Sequence, residues 1–217
     1  MAIRTVLFDL DGTLADTAPD LAYALNTLLS EHGQPPLPYE NIRPAASHGA
    51  AALIELGFGI PRDTARFAPL RERFLEIYRA HLARETRLFP GMEETLSGLT
   101  ARGLRWGIVT NKPAFLTDPL IGQLGLTDEA VCVVSGDATQ NRKPHPEPML
   151  HACKLAGSRP EECLYIGDAE RDIEAGRTAG MKTLVALFGY IGDEDRPEAW
   201  GADGLIRTPQ DILDWLD

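Results

Sequence analysis

The chain has 217 residues, of which 44% are hydrophobic and 24% are charged, and its formal net charge is −11. This composition is typical of a folded globular protein, and the length allows one large domain or a domain with a sizeable insert. The acidic balance argues against a nucleic-acid partner, because a phosphate backbone is bound by a basic surface. No apolar run approaches the roughly 20 residues that span a bilayer, and the first residues lack the pattern of a signal peptide. We expect a cytoplasmic protein, a monomer or weak dimer, with neither a nucleic-acid nor a membrane partner.

Short apolar segments that read as buried strands alternate with helical patterns along most of the chain. The strand-like segments are 3–8, 104–111, 130–137, 163–168 and 182–187, and the helical patterns between them are 113–124, 146–156 and 170–179. Strands that alternate with helices form a parallel sheet, and helices cover both of its faces. The sequence therefore predicts an α/β fold.

The segment 16–88 breaks this alternation. Its apolar residues follow helical spacing in two places, and Thr17 and Asp20 resemble a capping box at the start of the first of these helices. Proline and glycine follow at the end of the segment, where Pro90 and Gly91 suggest a hinge that returns the chain to the sheet. The predicted division is a core of residues 1–15 and 89–217 and a helical insert of residues 16–88.

Two pairs of acidic residues follow predicted strands. Asp9 and Asp11 come directly after the first strand, and Asp168 and Asp172 follow the fourth. Because the loops after parallel strands converge at one edge of the sheet, we expect these carboxylates to meet. Carboxylates as close as Asp9 and Asp11 repel each other unless a cation lies nearby, and oxygen ligands from two loops suit Mg²⁺. In this predicted magnesium site Asp168 is the better ligand, and Asp172 supports it from one helical turn away.

Two further segments offer groups that bind phosphate. Thr110 and Asn111 end a strand just before a helix, where a hydroxyl and an amide can hydrogen-bond phosphoryl oxygens, although Thr110 could instead cap that helix. Lys143 is one of only four lysines, and it lies between Arg142 and Pro144 in a proline-rich turn that can aim an ammonium group inward. The strand ends thus combine acids with phosphate-binding groups.

These residues resemble the four motifs of the haloacid dehalogenase superfamily, in order and in spacing. The matching residues are FDLDGT at 8–13, Thr110, Lys143 and GDAERD at 167–172. The resemblance spans the whole chain. It implies a Rossmann-like, doubly wound parallel sheet with an inserted α-helical cap domain.

The resemblance also implies an Mg²⁺-dependent phosphomonoester hydrolase that acts on a small phosphorylated metabolite. Asp9 would form an aspartyl-phosphate, and Asp11 would protonate the leaving group and then activate water. Thr110 and Lys143 would hold the phosphoryl group. The implied metal ligands are Asp9, the Asp11 carbonyl and Asp168.

Other branches of the superfamily are alternatives to a phosphomonoester hydrolase. Members that dehalogenate carbon substrates lack the second aspartate, whereas Asp11 is present here. Members that cleave phosphonates use a lysine of the cap, but residues 16–88 contain no lysine. A sugar-phosphate mutase remains the alternative. A non-catalytic phosphometabolite-binding protein would lack a catalytic residue, and none is missing.

The cap and the length resemble the phosphoglycolate phosphatase group, and VTNKP at 109–113 and LFPGM at 88–92 resemble bacterial N-acetylmuramic acid 6-phosphate phosphatases still more closely. Both substrates carry a carboxylate, which suits an arginine and the amino end of a helix. The residues predicted to contact this part of the substrate are Arg43, Ser47, His48 and Gly49. The alternative is that Arg43 and His48 only cap helices or face solvent.

Overall fold

Eight strands occur in the computed structural model, which describes residues 2–216. They are β1 (Thr5–Phe8), β2 (Ala15–Asp16), β3 (Arg87–Leu88), β4 (Arg105–Val109), β5 (Val133–Val134), β6 (Cys163–Gly167), β7 (Lys182–Ala186) and β8 (Gly204–Ile206). Six of them form one sheet in the order β5–β4–β1–β6–β7–β8, in which every neighbouring pair is parallel. β2 and β3 form a separate antiparallel pair.

The helices fall into two groups along the chain. They are α1 (Ala18–Glu31), α2 (Tyr39–Ala46), α3 (Gly49–Phe58), α4 (Phe67–Ala80), α5 (Met92–Ala101), α6 (Ala114–Gln123), α7 (Glu147–Ala156) and α8 (Glu170–Ala179). The first four lie between β2 and β3, and the others alternate with strands of the main sheet. Within residues 2–216, no helix is both long and apolar enough to cross a membrane.

The side chains of β1 explain why helices cover both faces of the main sheet. All four of its residues are fully buried, and in a strand successive side chains point to opposite faces. Val6 and Phe8 pack into the apolar cluster that contains the buried leucines of α5 and α6. Leu7 packs into a second cluster, with Met149 of α7 and Ala175 of α8. The predicted α/β fold with a doubly covered parallel sheet is confirmed.

The central strands end at a common edge. Phe8, the last residue of β1, pairs with Ile108 of β4 and Ile166 of β6. The backbone N–H of Asp9 continues this ladder and donates to Ile166 at 2.9 Å. Residues that directly follow these three strands therefore begin side by side, as the convergence argument predicts.

The helices between β2 and β3 bury their apolar faces in the same cluster as one face of the sheet. Leu25 and Leu28 of α1 and Phe74 of α4 are fully buried there. The sequence indicated α1 and α4 through their apolar spacing, but it did not indicate α2, α5, β8 or the β2–β3 pair. The strands β2, β3 and β8 have only two or three residues each, and such short strands cannot display an alternating pattern. The assignment of residues 16–88 to a separate domain stays a prediction.

The capping box predicted at the start of α1 is wrong. Thr17 stands at the amino end of α1 without a capping bond from its side chain, and its hydroxyl instead donates to Asp11 Oδ1 at 2.6 Å. Asp20 is buried and accepts hydrogen bonds from the backbone N–H of Glu85 and from both the N–H and the hydroxyl of Thr86. Both side chains therefore join α1 to other segments, and neither serves its own helix.

Candidate active site

A cavity of about 630 Å³ lies between the edge of the main sheet and the helices that precede β3. Residues that follow strands of the sheet line one side, and these include Asp9, Asp11, Thr110, Asn111, Lys112, Arg142 and Arg171. Residues of α1, α3, α4 and their connections line the other side, and these include Leu21, residues 46–52, Arg62, Arg71, Phe74, Leu75 and Tyr78. The sequence-predicted residues of the strand ends thus face a set of side chains from the helices.

Asp9 lies at the floor of this cavity and is only 3% exposed. Its Oδ1 accepts a hydrogen bond from the N–H of Leu10 at 2.8 Å and lies 2.9 Å from Lys143 Nζ. The second oxygen, Oδ2, takes part in neither contact. The carboxylate is therefore fixed through one oxygen while the other is available for chemistry in the cavity.

Lys143 is buried between two carboxylates. Its Nζ lies 2.7 Å from Asp172 Oδ1 as well as 2.9 Å from Asp9. It also donates to the carbonyl of Val109 at 2.9 Å and to the hydroxyl of Tyr165 at 2.8 Å. A buried ammonium with this many partners is held in one position.

Three buried carboxylates lie together beside Lys143. One oxygen each of Asp9, Asp168 and Asp172 falls within 4.8 Å of the others. Burial, reinforced by the charges of Asp9 and Asp172, raises the pKa of Asp168 to about 8. Burial also raises the pKa of Asp9 to about 6, against the opposing charge of Lys143. A hard divalent cation would offset this concentration of negative charge, so the donor set fits Mg²⁺.

Lys143 and the first turn of α8 hold both oxygens of Asp172. Its Oδ1 contacts Lys143 and the hydroxyl of Tyr165, and its Oδ2 accepts the N–H of Ala169 at 3.1 Å, which caps α8. Both oxygens are thus engaged by the protein. Asp172 therefore fits a supporting position that orients Lys143. The contacts described for Asp9 use only Oδ1, and Asp168 Oδ1 accepts only the longer contacts of the Ser47 and Thr13 hydroxyls, at 3.4 and 3.5 Å, so these two acids fit direct metal ligands.

Two glycines make room for Asp168. Gly12 has a φ of +86°, which favours glycine, and a Cβ there would lie 2.1 Å from Asp168 Oδ2. A Cβ on Gly189 would lie 2.4 Å from the Cβ of Asp168. The backbone N–H of the next residue, Tyr190, donates to Asp168 Oδ2 at 2.9 Å. The loop after β1 and the loop after β7 therefore enclose this carboxylate from two sides.

Asp11 is held by a residue to which the sequence analysis gave no role. Lys112 Nζ lies 2.8 Å from Asp11 Oδ1, the same oxygen that accepts the Thr17 hydroxyl. Lys112 is itself buried and donates to the hydroxyl of Tyr78 on α4 at 2.9 Å. Burial opposes the charge of Lys112, but Asp11 and Tyr78 raise its pKa overall. Its place directly after Asn111 and the scarcity of lysines were the signals that could have identified it.

Thr110 and Asn111 occupy the same edge but differ in their partners. Thr110 is buried and lines the cavity, and its Oγ1 accepts the N–H of Lys112 at 3.1 Å. The side-chain amide of Asn111 donates to the carbonyl of Lys143 and accepts its N–H, at 3.0 and 3.1 Å. Both polar atoms of the Asn111 side chain therefore support the Lys143 loop, and its predicted phosphate contact stays a prediction.

The four residues predicted to contact the organic part of the substrate separate into two places. Ser47, His48 and Gly49 line the cavity at the junction of α2 and α3. The side chain of Arg171 donates to the carbonyl of Ser47 at 2.7 Å and so ties α8 to this junction. Arg43 does not line the cavity. Its guanidinium donates to two carbonyls of the loop after β7, those of residues 188 and 189, and stacks over the ring of Tyr190.

The contacts of Arg43 do not favour the predicted contact with the substrate, which stays a prediction. One turn of α2 separates it from the cavity-lining junction, and its donors are bound to backbone carbonyls. The arginines that do reach the cavity are Arg62, Arg71, Arg142 and Arg171. Nothing in their local sequence marked them, because their approach depends on how the helices lie across the sheet.

Comparisons with known proteins identify the class to which this chain belongs. A family profile described as haloacid dehalogenase-like hydrolase matches residues 6–186, and the chain therefore belongs to this family. An N-acetylmuramic acid 6-phosphate phosphatase of Pseudomonas aeruginosa is 42% identical over 100% of this chain and 96% of its own length. A phosphoglycolate phosphatase of Xylella fastidiosa is 43% identical over 95% of this chain and 90% of its own length.

A solved structure of a similar protein also resembles this chain. A Haemophilus somnus protein described as a predicted phosphoglycolate phosphatase matches with a TM-score of 0.87 and 27% identity, over 99% of this chain and 98% of that chain. The sequence-based predictions of the family and of a phosphatase are confirmed by these relatives.

Proposed function

We propose that this chain hydrolyses phosphomonoesters of small metabolites through an aspartyl-phosphate formed on Asp9. The observation that carries the proposal is the ion pair that fixes one oxygen of Asp9 against Lys143 at the floor of the cavity. This pairing leaves Oδ2 for attack on phosphorus. A carboxylate nucleophile divides hydrolysis into two easier steps.

In the first step Asp9 Oδ2 forms a bond to phosphorus and the ester P–O bond breaks. Lys143 offsets charge on the phosphoryl oxygens, and the Thr110 hydroxyl is close enough to the cavity to donate to one of them. Asp11 supplies a proton to the departing alkoxide. In the second step water attacks phosphorus, Asp11 accepts its proton, and Asp9 and inorganic phosphate are released.

We assign the metal site to Asp9, Asp168 and the carbonyl of Asp11, with Asp172 in support. The fit rests on three buried carboxylates that offer oxygens within 4.8 Å of one another, and burial raises the pKa of two of them, Asp9 and Asp168. When bound there, Mg²⁺ would neutralise negative charge on the phosphoryl oxygens. Asp172 keeps Lys143 in place through its ion pair.

The size of the cavity supports a sugar-sized substrate. Its volume of about 630 Å³ lies within the range of sites that enclose whole organic ligands and exceeds what a two-carbon acid occupies. Apolar side chains such as Leu75 and Leu116 line it beside the polar groups. N-acetylmuramic acid 6-phosphate, named in the Pseudomonas relative, is therefore our first candidate. Phosphoglycolate, named in the Xylella relative, is the second.

Phosphate release from a substrate panel tests the proposal. The panel contains N-acetylmuramic acid 6-phosphate, phosphoglycolate and β-glucose 1-phosphate, each assayed with Mg²⁺ and with a chelator. We expect Mg²⁺-dependent release of phosphate, fastest from the first compound. Isomerisation of the glucose phosphate without release would instead establish a mutase. Binding without turnover of any compound would indicate a non-catalytic protein.

Three further expectations from the sequence belong to the same proposal. The core of residues 1–15 and 89–217 and the cap of residues 16–88 would act as separate domains. The protein would be cytoplasmic, and it would be a monomer or weak dimer. Limited proteolysis, cell fractionation and size-exclusion chromatography test these points in turn.

A further inference from the structure

The two walls of the cavity carry different charges. The carboxylates among the lining residues are Asp9 and Asp11, which both belong to the loop after β1. The wall formed by α3, α4 and the segment between them contributes Arg62 and Arg71 and no carboxylate. This contrast occurs in a protein whose net charge is −11. The wall opposite the catalytic carboxylates is therefore suited to an anionic group.

The lining arginines differ in how they are partnered. Arg62 forms a two-pronged ion pair with Glu55, with both N···O distances at 2.9 Å. Arg171 is bound to Ser47, and Arg142 donates to the carbonyl of residue 136. The side chain of Arg71 makes no hydrogen bond and no ion pair with any of residues 2–216. Among these four arginines, Arg71 alone has its full donor set available to a ligand.

We propose that Arg71 binds the carboxylate of the substrate and so determines which phosphomonoesters this cavity prefers. This inference rests on the proposed phosphatase function. A guanidinium presents paired donors in a plane that matches the two oxygens of a carboxylate. With phosphate held at Asp9 and Lys143 and the carboxylate held at Arg71 on α4, the substrate would span the cavity from the sheet edge to the helices.

In this proposal Arg71, and not Arg43, recognises the carboxylate. Its position on α4, one turn before the cavity-lining residues Phe74 and Leu75, places it on the same helix face as those two residues. Arg79 provides a matched control, because it is also an exposed arginine of α4 but does not line the cavity.

Two matched pairs of substrates test the proposal. N-acetylmuramic acid 6-phosphate and N-acetylglucosamine 6-phosphate differ by the lactyl group that bears the carboxylate, and phosphoglycolate and ethyl phosphate differ by the carboxylate itself. In Arg71→Ala we expect kcat/KM for the carboxylate-bearing member of the preferred pair to fall about 10- to 100-fold, mainly through KM. The member without a carboxylate should change by less than about twofold. Arg79→Ala should leave both unchanged.

Equal losses for both members of a pair would overturn the proposal, because Arg71 would then act on the phosphoryl group or on the fold. No loss for either member would overturn it as well. Calorimetric titration of Asp9→Asn and Asp9→Asn/Arg71→Ala with the same compounds measures the carboxylate contribution without turnover. If wild-type protein releases no phosphate from any compound, the phosphatase function fails. The titrations decide the role of Arg71 even then, because only a carboxylate-dependent loss of affinity supports it.

Discussion

The sheet edge and the helical wall build one cavity by different means. At the sheet edge Asp9, Lys143 and Asp172 are nearly inaccessible, and each has at least two partners. On the helical wall His48 and Arg71 are exposed, and the side chain of Arg71 has no partner among residues 2–216. The groups proposed to perform chemistry are thus fixed by several contacts each, whereas those proposed to face the rest of the substrate have few contacts that a substitution would break. Substitutions at the sheet edge should therefore have different effects from substitutions on the helical wall.

The largest effect is expected from Asp9→Asn. The amide keeps the size of the side chain and the floor of the cavity, but it cannot act as the nucleophile, so kcat should fall by about 10⁴-fold or more. Phosphate release measures the loss, and thermal unfolding checks that the fold is intact. Appreciable residual hydrolysis by this variant would refute the aspartyl-phosphate mechanism.

Lys112→Met should show that the sheet edge also controls Asp11. Without Lys112 only Thr17 holds Asp11 Oδ1, so proton delivery to the leaving group should become inefficient. We expect kcat/KM to fall about 100-fold for alkyl phosphates. The fall should be much smaller for p-nitrophenyl phosphate, whose leaving group needs no proton. Lys154→Met, at an exposed position of α7, is the control. Equal losses on both ester types would mean that Lys112 only supports the fold.

Without bound metal, the stability of the folded protein should depend on pH through the carboxylates of the sheet edge. Burial raises the folded-state pKa of Asp168 from the usual 3.8 to about 8 and that of Asp9 to about 6. Because both folded-state values exceed the unfolded ones, protonation stabilises the fold below about pH 4. This contribution is lost as the pH rises through 6 and then 8. The metal-free protein should therefore have a lower Tm at pH 8 than at pH 5.

Mg²⁺ should reverse this loss, since it binds the ionised carboxylates of the folded state. At a concentration 100 times its Kd, a ligand specific for the folded state adds about 2.7 kcal/mol to the free energy of unfolding. We expect the gain to be larger at pH 8 than at pH 5, as measured by scanning calorimetry with Mg²⁺ and with a chelator. Asp168→Asn should remove most of both the pH dependence and the Mg²⁺ effect. A pH-independent Tm without metal would contradict the account.

Arg43→Ala should have the smallest effect on activity. Its hydrogen bonds to the carbonyls of residues 188 and 189 stabilise the contact between α2 and the loop after β7. We expect a loss of about 1–2 kcal/mol in the free energy of unfolding, measured by denaturant titration, with KM unchanged. A raised KM with unaltered stability would return Arg43 to the substrate site.

The sequence was informative where function follows directly from strand ends. Asp9, Thr110 and Asp168 could be brought together in advance, because parallel strands deliver their following residues to one edge. The same reasoning did not reach Lys112, whose importance comes from contacts with Asp11 and with Tyr78 on a helix far away in the chain.

The helical wall was the least predictable part of the molecule. Arg43 and Arg71 both lie on amphipathic helices, and nothing local distinguishes an arginine that faces a cavity from one that binds a neighbouring loop. Whether each arginine faces the cavity depends on how α2 and α4 cross the sheet edge. Such crossings are set by packing between residues distant in sequence, here including Leu25 and Phe74. A single sequence contains no direct record of them.

The enclosure of Asp168 by Gly12 and Gly189 has a consequence for protein design. A designer who copied the acids and the lysine onto another α/β scaffold would reproduce every functional group of the sheet edge. The transplanted Asp168 would still be displaced if either neighbouring loop carried a Cβ, because the two closest approaches are 2.1 and 2.4 Å. A transplanted site would therefore have to keep glycine at the positions of Gly12 and Gly189, although neither contributes a side chain.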